Sequence, residues 1–580
     1  MVDHIRVVGI NDYHDASVCL LEDGRIKFAI QEERLSRIKN HSGFPYRALD
    51  TALRVGGLSV EDVDIFAFNF VYRPQRRDKK GWMDWCRSSQ SRSRPFVELF
   101  RRSPAFRIYE EISRKRLLNE VRKVGIAKSK VRFIDHHRAH GSTAYFGMPR
   151  NDSDEPVLVL TLDGGGDGVC STVSIGKDGS LNRIASTAEG HSIANIWVHA
   201  TFYLGMTPLE HEYKLMGLAP YPKREHFENL QKRLSELVQV DSLQFRSPLR
   251  TWTNQTLYAY PQLKQIFELE RFDNICAALQ LNTEETVTRW VRNCVATTGV
   301  RSVALAGGVF LNVKLNQRIM EMNEIDRLFV FPSCGDESSA IGAAFAAYAD
   351  YCAETGGKTK IEPISHLYFG LEYGDDVIEE AVTKLQAERN GTLDVYKPGN
   401  MSKTIAETLS KNEIVARFDG RNEFGARALG NRSILSNATN FFNTRELNKM
   451  VKSRDFWMPF APSILCENEE DYLVNPKKIP APYMILSFDT TERRKEIVAA
   501  IHPYDLTARP QVVYKDHNTD YHQVLIDYRE IVGPGGLLNT SFNLHGEPMV
   551  CSPEDAIQTF MNSGLRNLAI GDYMVSKKAV

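Results

Sequence analysis

Two histidines four residues apart carry the strongest chemical signal in the sequence. His136 and His140 stand in the run Asp135–His140, and a spacing of four places two side chains on one face of a helix. An acidic, glycine-rich run at 162–168 follows about twenty residues later. A turn of that kind after a strand can hold a phosphate or complete the coordination of a metal. Together the two runs predict a metal site beside a nucleotide site, although an isolated histidine pair is more often structural.

An ion held by the histidine pair needs oxygen ligands from elsewhere in the chain. The best candidates are two aspartates at the ends of predicted strands, Asp163 and Asp336. Two imidazoles with two carboxylates suit iron, zinc or manganese, and the residue types do not choose among them. Such an ion can polarise a phosphate or a carbonyl group. His137 is turned about 100° from each neighbour on the helix, and we therefore expect it to pack or to support the ligands.

A third histidine, His14, lies in the acidic turn Asp12–Asp15. Flanking carboxylates favour the protonated imidazole or fix its orientation, so His14 is a candidate general base toward an acceptor hydroxyl. The alternative is that it only caps the turn. Lys39, in the run Arg37–His41, is the second candidate catalytic residue near the N-terminus.

The strands that position these residues are predicted to occur twice. Three short strands are expected at 5–10, 16–21 and 26–30, and three more at 157–162, 169–175 and 181–185. Asp23-Gly24 and Asp178-Gly179 form the tight turns, offset by 178 − 23 = 155 residues. The same offset separates Asp12 from Asp167. This duplicated opening resembles the actin and sugar-kinase class of ATPases, in which two lobes grip a nucleotide.

Two strand–turn–helix units follow in the same half. A helix is predicted at 272–298, strands at 302–306 and 328–331, and a further helix from Asp336 to about Thr355. Such units bring backbone N–H groups to a ligand at a helix N-terminus. The expected nucleotide-binding residues are Gly164, Gly165, Gly166, Asp167, Gly307, Gly308 and Asn312.

A linker at Gly356–Lys360 predicts two domains, 1–357 and 358–580. The second domain sets basic residues among glycine, proline and asparagine, as expected where a guanidinium recognises a phosphate or a carboxylate. Any one arginine could instead form a surface ion pair. These residues lie in the runs 418–433, 451–454, 459–462, 509–511 and 539–543.

Composition narrows the class of protein. The 580 residues carry 72 basic against 73 acidic side chains, so the net charge indicates no particular partner. The nine cysteines are scattered without a C-x-x-C pair, which argues against a disulfide framework and a zinc ribbon. With no signal-peptide pattern and no apolar run of about eighteen residues, we expect a cytoplasmic protein.

A basic insertion at 73–132 separates the two repeats. It holds nineteen Lys or Arg residues interleaved with tryptophan and phenylalanine. Such a segment could hold an anionic acceptor, a lipid surface or nucleic acid. The alternative is a pair of solvated amphipathic helices whose aromatic side chains pack down.

In this order the motifs resemble the NodU and CmcH family of ATP-dependent O-carbamoyltransferases over nearly the whole chain. The resemblance rests on His14-Asp15, 31–39, 135–140, 163–167, 212–221, 305–312 and the second-domain runs. It implies an α/β fold: an N-terminal domain of the duplicated actin and sugar-kinase (ASKHA) type and a C-terminal α+β domain. The first half is also similar to the ATPase that transfers threonylcarbamoyl to tRNA, and the second to threonylcarbamoyl-AMP synthase.

The resemblance implies two reactions in two sites. The C-terminal domain would make carbamoyl-adenylate from carbamoyl phosphate and ATP with Mg²⁺. The N-terminal domain would transfer the carbamoyl group to a hydroxyl of a natural product or sugar, assisted by His14 and Lys39. The metal ligands would be His136, His140, Asp163 and Asp336, with Fe(II) as the expected ion and zinc or manganese as alternatives. The carbamoyl phosphate ligands would be Arg427, Lys452, Arg509, Ser541 and Asn543.

Two positions depart from the family pattern. Ala426 replaces the usual proline before Arg427, and Met458 replaces the usual arginine before the run 459–462. The second change removes a positive charge near the expected anion site.

Two other functions remain open from the sequence: a tRNA threonylcarbamoyladenosine-type transferase, and a nucleotide-binding module without catalysis. Nucleic acid is not an expected partner of the favoured function. Neither the acceptor nor the oligomeric state, a homodimer included, can be read from the sequence.

Overall fold

The computed structural model describes residues 4–72, 79–88, 104–150, 155–248, 255–389 and 391–578. The chain forms two compact units. The first contains residues up to Glu32 together with Asn40–Ile364, and the second contains Glu33–Lys39 together with Ser365 onwards. The division falls after Ile364, where the sequence placed it after Gly357. The sequence did not indicate that Glu33–Lys39 belongs to the second unit.

Two five-stranded sheets organise the first unit. The first sheet has the order β3-β2-β1-β4-β5 and the second has the order β8-β7-β6-β11-β12. In each, three antiparallel strands are followed by two strands parallel to the first of them. The matching order confirms the predicted duplication. The strands are β1 (Arg6–Asn11), β2 (Ser17–Glu22), β3 (Arg25–Gln31), β4 (Ile65–Phe68), β5 (Val131–Phe133), β6 (Val157–Gly166), β7 (Val169–Lys177), β8 (Ser180–Ala188), β11 (Ser302–Ala306) and β12 (Arg327–Val330), with a separate pair β9 (Gln239–Asp241) and β10 (Gln244–Arg246).

The two Asp-Gly turns have nearly the same backbone conformation. Asp23 and Asp178 both have φ of 50°, followed by Gly24 at 80° and Gly179 at 73°. A two-residue hairpin with positive φ at both positions matches the twist of its strands, and Asp-Gly is among the pairs that adopt it most readily. Local chemistry therefore explains why the turns could be located from the sequence.

The helices of the first unit cover and connect the two sheets. They are α2 (Tyr46–Gly56), α3 (Lys79–Ser88), α4 (Pro104–Lys123), α5 (His136–Gly147), α6 (Ala194–Tyr203), α7 (Glu212–Leu218), α8 (Arg224–Ser235), α9 (Tyr260–Phe267), α10 (Phe272–Thr298), α11 (Val313–Glu321) and α12 (Ser339–Glu354). The short helix α1 (Glu32–Ser36) begins at the last residue of the first segment, and its other four residues belong to the second unit. The long α10 has the bounds that its periodicity predicted, and Gly299 ends it in the left-handed conformation. Of the basic insertion, 73–78 and 89–103 lie outside the described residues.

Close packing of α5 against α12 brings distant residues to one place. A Cβ atom at Gly342 on α12 would overlap the carbonyl of Ala139 on α5, and one at Gly9 on β1 would overlap the carbonyl of Ala340. Only glycine permits these approaches. As a result, the first turn of α5 and the turn preceding α12 meet beside the ends of β1 and β6.

The second unit is built on a mixed sheet of eight strands in the order β13-β20-β19-β14-β15-β18-β16-β17. Its core includes Val415, Leu435, Tyr521 and Leu525, all almost fully buried. The strands are β13 (Leu393–Tyr396), β14 (Val415–Phe418), β15 (Arg432–Asn437), β16 (Ala461–Leu465), β17 (Gln511–Val513), β18 (Leu537–Ser541), β19 (Asn567–Ile570) and β20 (Tyr573–Lys577). The helices are α13 (Asp375–Glu388), α14 (Met401–Ser410), α15 (Phe441–Leu447), α16 (Glu469–Tyr472), α17 (Thr519–Val532) and α18 (Pro553–Met561). Among the helices of the described residues, none combines the length and apolar character needed to cross a bilayer.

Candidate functional site

The four predicted metal ligands come together in the first unit. His140 Nε2 lies 3.2 Å from Asp336 Oδ1 and 3.3 Å from Asp163 Oδ2. His136 Nε2 lies 3.5 Å from Asp163 Oδ2 and 3.6 Å from Asp336 Oδ1. One ligand atom from each of the four residues lies within 4.8 Å of all the others.

These distances and the burial of the donors fit a metal ion. Bonds of about 2.0–2.2 Å from nitrogen and oxygen place neighbouring ligand atoms about 3.0–3.5 Å apart. Both ring nitrogens of His136 and the Nδ1 atom of His140 are buried without a hydrogen-bond partner in the protein. Buried polar atoms normally have partners, so the unsatisfied Nε2 atom of His136, which faces both carboxylates, supports an ion at this point. Nitrogen and oxygen donors of this kind suit a borderline divalent cation.

Local structure fixes the orientation of His136. Asp135 caps α5 by accepting a hydrogen bond from the backbone N–H of Arg138. The imidazole of His136 stacks on Phe70, with ring centroids 4.5 Å apart. Gly166 lies against the same imidazole, where any Cβ would overlap the ring. The ring is therefore held between an aromatic side chain and a glycine.

Charge at the cluster is balanced between imidazoles and carboxylates. Burial alone would lower the pKa of His140, but hydrogen bonds and charge from Asp163 and Asp336 outweigh burial and raise that pKa to about 9. Burial and Asp336 oppose ionisation of Asp163, yet the two histidines hold the pKa of its carboxyl below the usual range. Burial, followed by the charges of His136 and His140, lowers the pKa of His137 to about 3. His137 is thus neutral and lies 2.8 Å from Thr161 Oγ1 and 2.8 Å from the carbonyl oxygen of Val169.

His14 lies beside this cluster. Its Nε2 atom is 3.0 Å from Asp336 Oδ2, and its Nδ1 atom is 3.0 Å from Asp15 Oδ2. Burial would lower the pKa of His14, but the charges and hydrogen bonds of both aspartates raise it well above its ordinary value. Asn11, which the sequence did not single out, donates from its side-chain amide to the carbonyls of His14, Asp15 and Asp336. It thereby holds the first acidic turn against the turn that carries Asp336.

The residues predicted to bind nucleotide have definite structural positions. The Asp167 carboxylate accepts hydrogen bonds from the backbone N–H groups of Val71, Tyr72 and His136. Gly308 lies next to the Asp163 carboxylate, where a Cβ would be 3.2 Å from Oδ1. Asn312 caps α11 through the N–H of Leu315 and also bonds Gln280. Gly164, Gly165 and Gly166 form the end of β6, and Gly307 has φ of 107°.

The predicted carbamoyl phosphate ligands lie in the second unit, and Lys452 is at the centre of their contacts. Its ammonium group donates to the carbonyl and hydroxyl oxygens of Ser541, at 2.5 and 3.2 Å, and to the carbonyl and side-chain oxygens of Asn543, at 3.1 and 2.7 Å. Lys452 ends a short π-helical turn, and Ser453 then takes the left-handed conformation. The ammonium group is thus held in place by oxygen acceptors of the protein itself.

Several positive charges act on one another at this site. Burial, then the charges of Arg454 and Lys39, hold the pKa of Lys452 well below its usual range. Burial, then Arg427 and Arg454, likewise depress the pKa of Arg509. Like charges raise one another's energy unless an anion joins them. The structure places Lys39 in the second unit with this cluster, rather than in the first unit with His14.

Glu423 anchors the loop that carries Arg427. Its buried Oε1 atom accepts hydrogen bonds from the backbone N–H groups of Leu429, Asn431 and Arg432, at 2.8, 2.9 and 3.1 Å. Glu423 lies within the run 418–433, but the sequence did not predict a role for it. Nothing in the local pattern shows that one carboxylate oxygen will serve three amides.

The two departures from the family pattern have different environments. Ala426 is exposed, whereas Met458 is buried. The Arg454 guanidinium lies 5.0 Å from the centroid of the Phe460 ring and donates to Thr540 Oγ1 at 3.3 Å. A positive charge therefore remains beside the run 459–462, although Met458 contributes none.

The fold and the site define a class of protein. Two five-stranded sheets of the same strand order agree with the duplicated fold predicted from the sequence, and the first unit also holds the cluster of two histidines and two aspartates. The activator of the 2-hydroxyisocaproyl-CoA dehydratase from Clostridium difficile, solved with bound ADPNP, aligns with a TM-score of 0.32 and 15% identity over 62% of this chain and all of that chain.

Comparison of sequences identifies the family. The family model described as "Carbamoyltransferase N-terminus" matches residues 6–345, and the model described as "Carbamoyltransferase C-terminus" matches residues 406–577. Nodulation protein NolO of Bradyrhizobium diazoefficiens is 31% identical over 77% of this chain and 79% of that protein. Nodulation protein NolNO of Sinorhizobium fredii is 29% identical over 97% of this chain and 79% of that protein. The chain belongs to the carbamoyltransferase family, which confirms the resemblance drawn from its motifs.

Proposed function

We propose that the protein is an ATP-dependent O-carbamoyltransferase with its two half-reactions in different units. The second unit makes carbamoyl-adenylate, and the first unit transfers the carbamoyl group to a hydroxyl of a natural product or sugar. The observation that carries this proposal is the separation of the two clusters. The cations form one group in the second unit, and the histidines and aspartates form another in the first.

In the first half-reaction the second unit binds two anionic substrates, carbamoyl phosphate and ATP with Mg²⁺. Hydrolysis of carbamoyl phosphate releases inorganic phosphate and leaves carbamate. A carbamate oxygen then attacks the α-phosphorus of ATP, and pyrophosphate leaves. Arg427, Lys452 and Arg509 neutralise the phosphate oxygens, while Ser541 and Asn543 hold the lysine in position. We assign Lys39 to this anion site, since its charge acts on Lys452.

In the second half-reaction the oxygen of the acceptor attacks the carbamoyl carbon, the bond from that carbon to the phosphate oxygen breaks, and AMP leaves. His14 in its neutral form takes the hydroxyl proton, and Asp15 and Asp336 stabilise the imidazolium that forms. Because the same two aspartates raise the pKa of His14, this base becomes available as the pH rises through that raised pKa. Gly164, Gly165, Gly166, Asp167, Gly307, Gly308 and Asn312 surround the expected nucleotide position.

His136, His140, Asp163 and Asp336 would hold a divalent ion, for which Fe(II) is our first choice and zinc or manganese the alternatives. When bound, the ion would supply Lewis-acid stabilisation of negative charge. Stacking of His136 on Phe70 and the cap of α5 by Asp135 hold the ligand side chains in position.

A single assay without acceptor tests the first half-reaction. The protein is incubated with carbamoyl phosphate, ATP and Mg²⁺, and carbamoyl-AMP and pyrophosphate are measured. We expect both products from the wild type and their loss in Arg509→Ala. Arg566→Ala, which removes an exposed arginine of the same unit, is the matched control and should keep full activity.

Absence of adenylate in the wild type would contradict the proposal, and so would an Arg509→Ala protein that forms adenylate at the normal rate. Candidate acceptors are then screened with the pre-formed adenylate, with AMP release as the readout.

A further inference from the structure

A second group of metal-ligand side chains lies in the second unit. Cys466, Glu467 and His522 bring one sulfur, one oxygen and one nitrogen atom within 4.8 Å of one another. His522 Nε2 is 3.0 and 3.3 Å from the two carboxylate oxygens of Glu467, and the Cys466 thiol donates to Glu467 Oε2 at 3.3 Å. The thiol and the imidazole therefore converge on one carboxylate.

Core residues hold both sides of this cluster in place. Cys466 directly follows β16, whose last residue, Leu465, is 1% exposed, and His522 directly follows Tyr521, which is fully buried on α17. Leu465 and Tyr521 belong to the same hydrophobic core. The backbone at both ligands is thus fixed by packing, and side chains on such rigid elements can form a defined site.

Access to the cluster is open on one side. His522 is buried, whereas Cys466 is partly exposed and the Glu467 side chain is 48% exposed. Three protein ligands with a solvent-facing side leave one coordination position for water or another small ligand, as in zinc sites that are not closed.

We propose that Cys466, Glu467 and His522 form a second metal site, for a borderline-soft divalent cation such as Zn²⁺. The ion displaces the thiol proton, which is released to solvent, and the imidazole presents its Nε2 lone pair with its proton on Nδ1. No electron transfer is needed. The thiolate distinguishes this site from the histidine and aspartate cluster of the first unit, because sulfur favours zinc over harder ions.

Cobalt substitution separates the two sites in the full-length protein. The chelator-treated protein is titrated with Co²⁺, and the near-ultraviolet charge-transfer band of a thiolate bound to cobalt is followed. Eight of the nine cysteines are buried, and within the described ranges no other cysteine belongs to a possible metal-ligand group. We expect a thiolate band that saturates at one ion per chain and is displaced by Zn²⁺.

Variants assign the band to its ligands. Cys466→Ser should abolish it while the visible bands from cobalt in the first unit remain, and His522→Gln should weaken Co²⁺ binding at least tenfold. Glu470→Gln, which changes a neighbouring carboxylate that is 83% exposed, is the matched control and should bind Co²⁺ as the wild type does. Zn²⁺ should raise the unfolding temperature of the wild type more than that of Cys466→Ser.

The proposal is overturned if the wild type shows no thiolate band, or if the band survives in folded Cys466→Ser protein. Circular dichroism of each variant establishes that it is folded. Failure of this site would leave the proposed carbamoyl transfer untouched, since none of its three residues takes part in either half-reaction.

Discussion

Asp336 Oδ2 lies 3.0 Å from His14 Nε2, while the other carboxylate oxygen of Asp336, Oδ1, lies 3.2 Å from His140 Nε2. One carboxylate therefore contacts both the candidate metal ligands and the candidate base. Asp336 lies in the turn before α12. The side-chain amide of Asn11, at the end of β1, donates a hydrogen bond to the backbone carbonyl of Asp336. The position of His14 relative to the cluster is consequently set by the same short turns that place the ligands.

Removal of the two helical histidines should separate the half-reactions. The double variant His136→Ala/His140→Ala loses both nitrogen ligands, and we expect metal affinity to fall by more than the roughly 10- to 100-fold that loss of a supporting residue costs. Metal content measured by mass spectrometry and carbamoyl transfer should both be lost, whereas pyrophosphate release should continue. His226→Ala, which alters a half-exposed histidine of the same unit, is the control. Equal loss of both half-reactions would show that the pair is structural.

His14→Gln tests the proposed base. Glutamine keeps hydrogen-bonding capacity but does not accept the proton, so transfer should slow by about 10²- to 10⁴-fold. Metal content and adenylate formation should stay at wild-type levels, because the metal ligands and the second unit are unchanged. Transfer at an undiminished rate would exclude His14 as the base.

Gly166→Ala should disturb the candidate metal cluster although it replaces none of the four ligand residues. The added Cβ would overlap the His136 ring and force it off its position, at a cost of about 1–3 kcal/mol in the free energy of unfolding. We expect weaker metal binding by equilibrium dialysis and a lower unfolding temperature. Gly164→Ala is the matched control, since a Cβ there would have no neighbouring atom within 4 Å. Identical behaviour of the two variants would contradict the steric argument.

Glu423→Ala should weaken carbamoyl phosphate binding through the loop that carries Arg427. Three backbone N–H groups lose their acceptor, at about 1–3 kcal/mol for each group left unsatisfied. We expect a marked fall in denaturant stability and at least a tenfold rise in the dissociation constant measured by calorimetry. Glu423→Gln keeps one acceptor oxygen and should recover part of the lost stability and part of the lost affinity. A Gln variant no better than the Ala variant would show that the charge of Glu423, rather than its hydrogen bonds, holds the loop.

Binding of carbamoyl phosphate should be coupled to the uptake of a proton by Lys452. Burial and the charges of Arg454 and Lys39 depress the pKa of the free site, whereas a bound dianion would raise it. Because the pKa rises on binding, the added affinity is present below the pKa of the free site and is lost as the pH rises through that of the bound site. Calorimetry in two buffers of different ionisation enthalpy should show proton uptake at pH values between the pKa of the free site and that of the bound site. Lys452→Met should bind weakly and take up no proton there, and uptake that persists would assign the proton to another group.

Several features of this protein follow from short stretches of sequence. The Asp-Gly turns, the bounds of α10 and the duplicated order of strands depend on interactions between near neighbours, such as positive φ at Gly24 or the periodicity of 272–298. The order of the motifs placed the chain in its family. The sequence also pointed to four side chains that lie together in the structure, because His136 and His140 share a helix face and the two aspartates stand near strand ends. That they bind a metal stays a prediction.

Other relationships depend on packing between residues far apart in the chain, which no local pattern contains. The sequence alone did not show that Lys39 lies in the second unit, that Asn11 ties the first acidic turn to the turn of Asp336, or that Glu423 holds the loop of Arg427. The nine cysteines are scattered along the sequence, yet folding brings Cys466 and Glu467 beside His522, which is 55 residues from Glu467. Turns and helices are determined by neighbouring residues, whereas these contacts exist only once the sheets and helices have buried their apolar faces against one another.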